Sequence, residues 1–362
     1  GFGDASKGSA TAAKAGLSPS RVGIYLGSGE GTLDLDTFAR VNIGAWNAEG
    51  NELDLVRWAE LSAHFDAQRE IEQEPNLALT HLASALGARG PAFNCMTACA
   101  ASTQSIGEAY HMLQRGDADV MIAGGSHTMI HALGMTGFIR LTAMSTRRDD
   151  PSTAARPFDG TRDGFVMGEG AGIVILERLD HALERGATPL VELAGFGSSA
   201  DAYRITDIQP EGKGAIESMR QALAHAGIDP HATDAQGRPP VQYISAHGTG
   251  TQENDSIETV AVRGVFGDLA PRIPFSSIKS MMGHLIQAAG AVELITCVQA
   301  IRTGFVPPTI NLQTPDPRCD LDYVANESRD LRDAGGIEVA MSNGFGFGGQ
   351  NDTVVVRRYD AA

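Results

Sequence analysis

The sequence is short of several things that would have classified it quickly. Among its 362 residues there are only four cysteines, Cys95, Cys99, Cys297 and Cys319. They are too few for a disulfide framework in a chain of this length, and no C-x-x-C pair offers a zinc site. A reducing compartment fits, in which a special cysteine would be special as a thiol. No uninterrupted apolar run reaches the roughly 18 residues that a membrane-spanning helix requires. The opening residues, GFGDASKGSATAAKAG, lack the basic-then-apolar layout of a secretory signal. A soluble, cytoplasmic protein is therefore expected, with no membrane partner. Positive charge is scarce too: 28 Lys and Arg stand against 44 Asp and Glu, a formal net charge of −16. Such a chain has no basic field to gather nucleic-acid phosphates. Arg140, Arg147 and Arg148 lie close enough in sequence to form one small basic patch, although a solvated turn is the favoured reading.

What is present is an ordinary globular composition, 42% apolar and 20% charged. The length suffices for a large core, in one big α/β unit or two fused ones. Apolar, β-rich runs at 21–29, 117–126, 172–177, 189–197, 241–248, 272–279, 337–344 and 352–358 predict strands. Several are nearly continuous, as in strands covered by helices on both faces. Between them, 100–114 carries Ile106, Ala109, Tyr110 and Leu113 on one helical face. The stretch 285–302 is apolar nearly all round and reads as a core helix, and 211–227 is amphipathic and ends in glycine. Alternating strands and helices predict a layered α/β architecture. One helix following Cys99 ends at Arg115-Gly116, and another following His284 ends near Arg302–Gly304, which hints at an internal duplication. Residues 147–164 and 234–240 read as loops.

The chemistry-bearing candidates sit where strands end. Cys99 follows a strand-like run and precedes a helix, where free backbone N–H groups and the helix dipole are expected to favour a thiolate. Cys95 lies inside the strand and reads as a buried, inert thiol. His247 follows the run 241–246 in SAHGTGTQEND, and His284 follows another strand in SIKSMMGHLIQAAG, five residues after Lys279. Each is flanked by small residues that permit close approach. On the residues alone, a converging thiol–imidazole site and two separately satisfied histidines both remain open. Three decoys fail on context. GFGFGG, residues 344–349, is followed by a strand rather than a helix, so it is not a dinucleotide fingerprint. GEGAG, 168–172, also runs into a strand. His127 and His131 in HTMIH lack the acidic residue of a zinc-protease motif, and no metal site is expected.

Taken together, TACAAS, GDADVMIAGGS, STRRDDPSTAARPFDGTRDGFVMGEGAG, SAHGTGTQEND, SIKSMMGHLIQAAGAVE, VPPTINLQTPD and SNGFGFGGQN resemble the β-ketoacyl-[acyl-carrier-protein] synthases. The likeness is to the elongating type II members of the thiolase-like superfamily, in their order and spacing from about residue 20 onward. The resemblance implies a thiolase-like α/β fold of two similar halves in a five-layer αβαβα arrangement, divided here as 1–200 and 201–362. It implies a decarboxylative Claisen condensation in which Cys99 carries the acyl group and malonyl-acyl carrier protein supplies the two-carbon unit. A thiolate suits the first task, being both nucleophile and leaving group. By the same resemblance, His247 and His284 stabilise the enolate oxygen, Lys279 supports them, and Glu293 partners the lysine. The oxyanion hole is the backbone N–H groups of Cys99 and Phe347. Phe347 is also the gate, with Phe345 the weaker alternative. Thr249 and Thr251 bind the phosphopantetheine arm, and Phe138 lines the acyl pocket. No cofactor beyond the carrier's phosphopantetheine is implied. The partners are acyl carrier protein and a second copy in a homodimer.

Two departures stand out. The glycine-rich strand and helix with which the family usually opens are not matched, so Cys99 comes some tens of residues early. Residues 31–75 also differ from the common pattern, which leaves chain-length preference open. The enzymatic alternative is a ketosynthase of a polyketide or other specialised pathway. A degradative thiolase would need a second cysteine as base, and neither Cys297 nor Cys319 has the matching glycine context. A non-catalytic chain-length partner would generally lack the nucleophile.

Overall fold

The computed structural model describes residue 12 and residues 16–29 and 34–360. Nine strands form two large sheets. The first uses β1 (Val22–Ser28), β2 (Ala92–Cys95), β3 (Val120–His127) and β4 (Gly170–Glu177), in the order β2-β1-β3-β4. The second uses β5 (Val191–Ala200), β6 (Tyr243–Ser245), β7 (Phe275–Ser276), β8 (Val339–Gly346) and β9 (Gln350–Arg358), in the order β5-β9-β8-β6-β7. Every predicted strand is present, although β6 and β7 are shorter than their apolar runs.

The two sheets repeat one plan. In the first, β2 and β3 flank β1 in parallel, and β4 pairs antiparallel with β3. In the second, β7 and β8 flank β6 in parallel, and β9 pairs antiparallel with β8. The second sheet has one strand more, because β5 pairs antiparallel with β9. This strand lies before residue 201, so the sheet boundary falls near residue 190 rather than at 200. Sequence patterning could not show it, since pairing partners are not encoded in a strand's own periodicity.

Five layers result. Helix α1 (Leu77–Leu86) covers the outer face of the first sheet, where Leu79 packs on Val22, Ile24, Leu26, Val120 and Ile122. Helices α2 (Ala101–Arg115) and α6 (Ala289–Thr303) fill the space between the sheets, with Ile106, Leu113, Leu294 and Cys297 packed against Met121, Phe196, Tyr243 and Val354. Helices α4 (Lys213–His225) and α5 (Gln252–Phe266) cover the far face of the second sheet through Met219, Leu223, Val262 and Val265. A further helix, α3 (Ala132–Arg140), lies beside the site described below.

The duplication extends to the two central helices. Each is entered through a three-residue 3₁₀ turn, Ala98–Ala100 for α2 and Ile286–Ala288 for α6. Both turns open with a non-glycine residue in the left-handed region, Ala98 at φ 47° and Ile286 at φ 41°. Both helices stop at a left-handed glycine, Gly116 and Gly304. They cross in close contact: a Cβ on Gly290 would lie 1.9 Å from Thr103 Oγ1. Cys99 and Gln287 thus occupy equivalent places, each the middle residue of its turn.

Among the described residues, β4 has one strand neighbour in the first sheet. Ile173 and Ile175, which pair with Gly124 and Ile122, are 41% and 60% exposed. Their counterparts in the second half, Thr353 and Val355, are fully buried beside β5 and α4.

Candidate active site

Three of the strand ends singled out in the sequence meet around Cys99. The thiol lies in the 3₁₀ turn at the head of α2 and is buried. His247 follows β6, His284 precedes the turn into α6, and the β8–β9 hairpin supplies Phe345 and Phe347. The GFGFGG stretch is this hairpin, its turn formed by residues 347–349. Glycine is needed at Gly346, because a Cβ there would stand 2.6 Å from the Thr97 carbonyl oxygen. This close approach brings the hairpin onto the nucleophile's turn, and the backbone N–H groups of Phe347 and of Cys99 itself are directed at the sulfur.

The histidines are held as neutral rings. Burial depresses both well below the usual imidazole value, the Lys279 charge adds to it, and each ring has a histidine neighbour acting in the same direction. His284 Nδ1 accepts from the Ile286 N–H at 3.3 Å. This fixes the tautomer, leaving the ring proton on Nε2, which lies 3.1 Å from Cys99 Sγ. His284 therefore faces the sulfur as a donor. The His247 ring stands nearly perpendicular to that of His284, with centroids 5.5 Å apart. One ligand atom from each of Cys99, His247 and His284 falls within 4.8 Å of the others. A metal there would need the thiol proton gone and the fixed His284 tautomer reversed. The set is arranged to donate hydrogen bonds rather than to ligate a cation.

The helix start does not give Cys99 a low pKa. Burial pushes the thiol up to about 12, against the opposing influence of the Lys279 charge and the two backbone N–H groups. Cys99 therefore rests as a thiol. The expectation of a dipole-stabilised thiolate neglected burial, which dominates here. Cys95 is also protonated, its Sγ donating to the Ala101 carbonyl.

Beneath the histidines lies a buried ionic layer. Lys279 Nζ donates to the His247 carbonyl at 2.6 Å and to Glu293 in a short contact. A second carboxylate, Glu258 on α5, went unrecognised in the sequence. It accepts from the backbone N–H groups of His247 and Gly248, both at 2.8 Å, and from Asn343 Nδ2 at 3.1 Å. Burial raises its pKa to about 7. Its signal was Asp255 and Glu258 on one face of the helix that follows HGTGT, with Asp255 closing that motif and Glu258 lying beyond it.

The thiol and both histidines open into a cavity of about 340 Å³ that is also lined by Thr249, Thr251, Phe345 and Phe347. Thr249 and Thr251 hydroxyls are 3.1 Å apart, and Thr251 caps α5 by accepting from the Asn254 N–H. Phe345 is buried in the core against His247, whereas Phe347 is half-exposed next to Gly348. Phe138 does not line this cavity. It stacks edge-on to Phe165, which is itself edge-on to His284, and borders a second cavity on the far side. His127 ends β3 and His131 caps α3, so the two never shared a helix face.

Models of the beta-ketoacyl synthase N-terminal and C-terminal domains match residues 9–182 and 190–313. The chain is similar to the 3-oxoacyl-[acyl-carrier-protein] synthase 2 of Synechocystis sp., 47% identical over 284 residues, or 78% of this chain and 65% of that protein. Its likeness to the Staphylococcus aureus protein of the same name is 46% over 287 residues, 79% and 66% of the two chains. The match spans slightly less than two thirds of these relatives. Among solved structures, a type II polyketide ketosynthase in complex with its acyl-carrier protein and bound to the hexaketide superposes with TM-score 0.83 at 33% identity, covering 96% of this chain and 82% of that one. A beta-ketoacyl synthase from Burkholderia phymatum superposes with TM-score 0.81 at 32% identity, covering 98% and 81%.

Proposed function

The chain belongs to the beta-ketoacyl synthase family, and from that membership we propose that it joins an acyl group held on Cys99 to malonyl-acyl carrier protein, as in fatty acid elongation. Cys99 Sγ attacks the carbonyl of the acyl thioester. The bond to the phosphopantetheine sulfur breaks, and the thiol proton leaves with that sulfur, so no resident base is required. Malonyl carrier protein then enters past Thr249 and Thr251. Its carboxylate departs as carbon dioxide, and the electron pair left behind forms a thioester enolate. His284 Nε2–H and the His247 ring stabilise the enolate oxygen as neutral donors. The carbanion attacks the acyl-Cys99 carbonyl, the tetrahedral oxyanion is held by the N–H groups of Cys99 and Phe347, and the Cys99 thiolate is released and reprotonated.

The observation that carries this reading is the convergence on one sulfur of two backbone N–H groups and the His284 Nε2–H at 3.1 Å. Phe347, half-exposed over the cavity, is the gate in this reading, and Lys279 with Glu293 holds the His247 carbonyl. Acyl carrier protein is the carrier partner, by analogy with the ketosynthase complex above. A homodimer and a cytoplasmic location belong to the same proposal, the latter supported by four free cysteines. No helix among the described residues is long and apolar enough to cross a membrane. Intact-mass measurement after exposure to acyl carrier proteins tests the reading. One acyl adduct is expected, lost in Cys99→Ala and kept in Cys95→Ala. An adduct on Cys95, or none from any donor, refutes it.

A further inference from the structure

Two stretches of the sequence, ARPFDGTRDG and VPPTINLQTPD, take no part in the chemistry above, yet they meet at one side chain. Arg162 is fully buried. Its Nε donates to the Thr251 carbonyl at 2.9 Å and its Nη2 to the Gln252 carbonyl at 3.0 Å. Nη1 donates to the Asp159 carbonyl at 2.9 Å and to Asp316 Oδ2 at 2.7 Å. Asp255 Oδ2 stands 3.4 Å from Nε. In return, Gln252 Nε2 donates to the Arg162 carbonyl in a short contact. The segment that carries Asp316 is tied back as well, since the Gln313 and Thr314 N–H groups donate to the Asp159 carboxylate at 2.7 and 2.6 Å.

This clamp completes the grip on the loop between β6 and α5. At its start, Glu258 holds the His247 and Gly248 N–H groups, while Lys279 and Ser277 donate to the carbonyls of the same two residues. In its middle, Asp255 Oδ1 accepts from the Gly250 N–H at 3.1 Å, and the Gly164 N–H donates to the Gly250 carbonyl at 3.0 Å. At Thr251 and Gln252, where the loop enters α5, the clamp from outside is the Arg162 guanidinium. Its planar fork bridges two carbonyls and a carboxylate at once, which a lysine ammonium does not reproduce.

We propose that Arg162 is a positioning residue for the phosphopantetheine arm. Holding the Thr251 and Gln252 carbonyls from behind fixes the Thr249 and Thr251 hydroxyls, 3.1 Å apart on the cavity wall, where they can bond the arm's amide groups. The inference rests on the reading of these two threonines as arm contacts. Arg162 then acts on binding of the carried thioester and not on bond making at Cys99, so its loss belongs in KM rather than kcat. One displaced hydrogen bond changes affinity about tenfold.

The test is the rate of carbon dioxide release from malonyl-pantetheine, with iodoacetamide alkylation of Cys99 as a readout that involves no arm. Arg162→Lys keeps the charge that the surrounding carboxylates need. It should raise KM about tenfold and leave kcat and the alkylation rate within about twofold. In a Thr249→Val, Thr251→Val background the same substitution should add less than about twofold, because the hydroxyls it positions are gone. Asp316→Asn, which weakens the hold on the guanidinium, should raise KM severalfold, and it carries the same comparisons should thermal melting show Arg162→Lys unfolded. An unchanged KM, a loss of kcat matching the rise in KM, slowed alkylation, or the full effect in the valine background overturns the inference. Valine substitutions that leave KM unchanged reject the threonines as arm contacts and this inference with them, with the condensing reading intact. Wild-type protein that releases no carbon dioxide from any malonyl thioester rejects the condensing reading itself.

Discussion

His284 Nε2 lies 3.1 Å from Cys99 Sγ and turns a proton toward it, because its Nδ1 is already occupied by the Ile286 N–H. The pair is thus a donor and a thiol, not a base and a thiol. With burial holding the thiol near 12 and both imidazoles depressed, neither partner ionises on its own near neutrality. Alkylation of Cys99 by iodoacetamide should therefore climb about tenfold per pH unit between roughly pH 7 and 10, following the growing thiolate fraction. Peptide mapping of the alkylated cysteine measures it. A rate that is flat over this range would mean a preformed thiolate.

The same geometry divides the two half-reactions. In the proposed reaction, acyl transfer to Cys99 draws on the backbone N–H groups of Phe347 and Cys99, and decarboxylation on the imidazole N–H groups. His284→Ala should slow carbon dioxide release from malonyl carrier protein by about 10²–10³-fold, the usual cost of one such donor. Cys99 acylation should fall by less than about tenfold. Equal loss in both assays would contradict this division.

Away from the site, Asp352 in β9 is a buried carboxyl with one oxygen lacking a hydrogen-bond partner. Burial, with a smaller contribution from Glu108, raises its pKa from 3.8 to about 7. Between those values the folded chain keeps a proton that the unfolded chain has released, so this group makes stability fall as pH rises, with the full penalty above about pH 7. Asp352→Asn should raise unfolding free energy on the order of 3 kcal/mol at pH 8 and clearly less at pH 5. Urea denaturation at the two pH values is the measurement, and an equal gain at both would show that Asp352 does not titrate in this way.

Much of this was legible in the sequence, for identifiable reasons. Strands and helices followed their periodicities, and Cys99, His247 and His284 announced themselves as reactive types at strand ends. Their convergence was not legible, since it depends on two sheets sharing one helix layer. The protonation state of Cys99 was misread because a dipole can be inferred from position, whereas burial arises only from packing. Glu258 and Gln287 were passed over for a related reason. The first acts by accepting backbone N–H groups of the loop just before its own helix, and the second gains meaning only through its equivalence to Cys99. Phe138, expected on the acyl pocket, borders the second cavity rather than the one that holds the thiol, a distinction that depends on how α3 packs.

Among the described residues, β4 has one strand neighbour where β9 has two, and Ile173 and Ile175 stay partly exposed where Thr353 and Val355 are sealed. The parts of the site divide between the two sheets. His247 and Phe347 follow strands of the second, while the turn bearing Cys99 is reached from β2 of the first. Any shift of one sheet against the other therefore changes the distances between the sulfur and those groups, so the site's geometry reports how the two halves are docked.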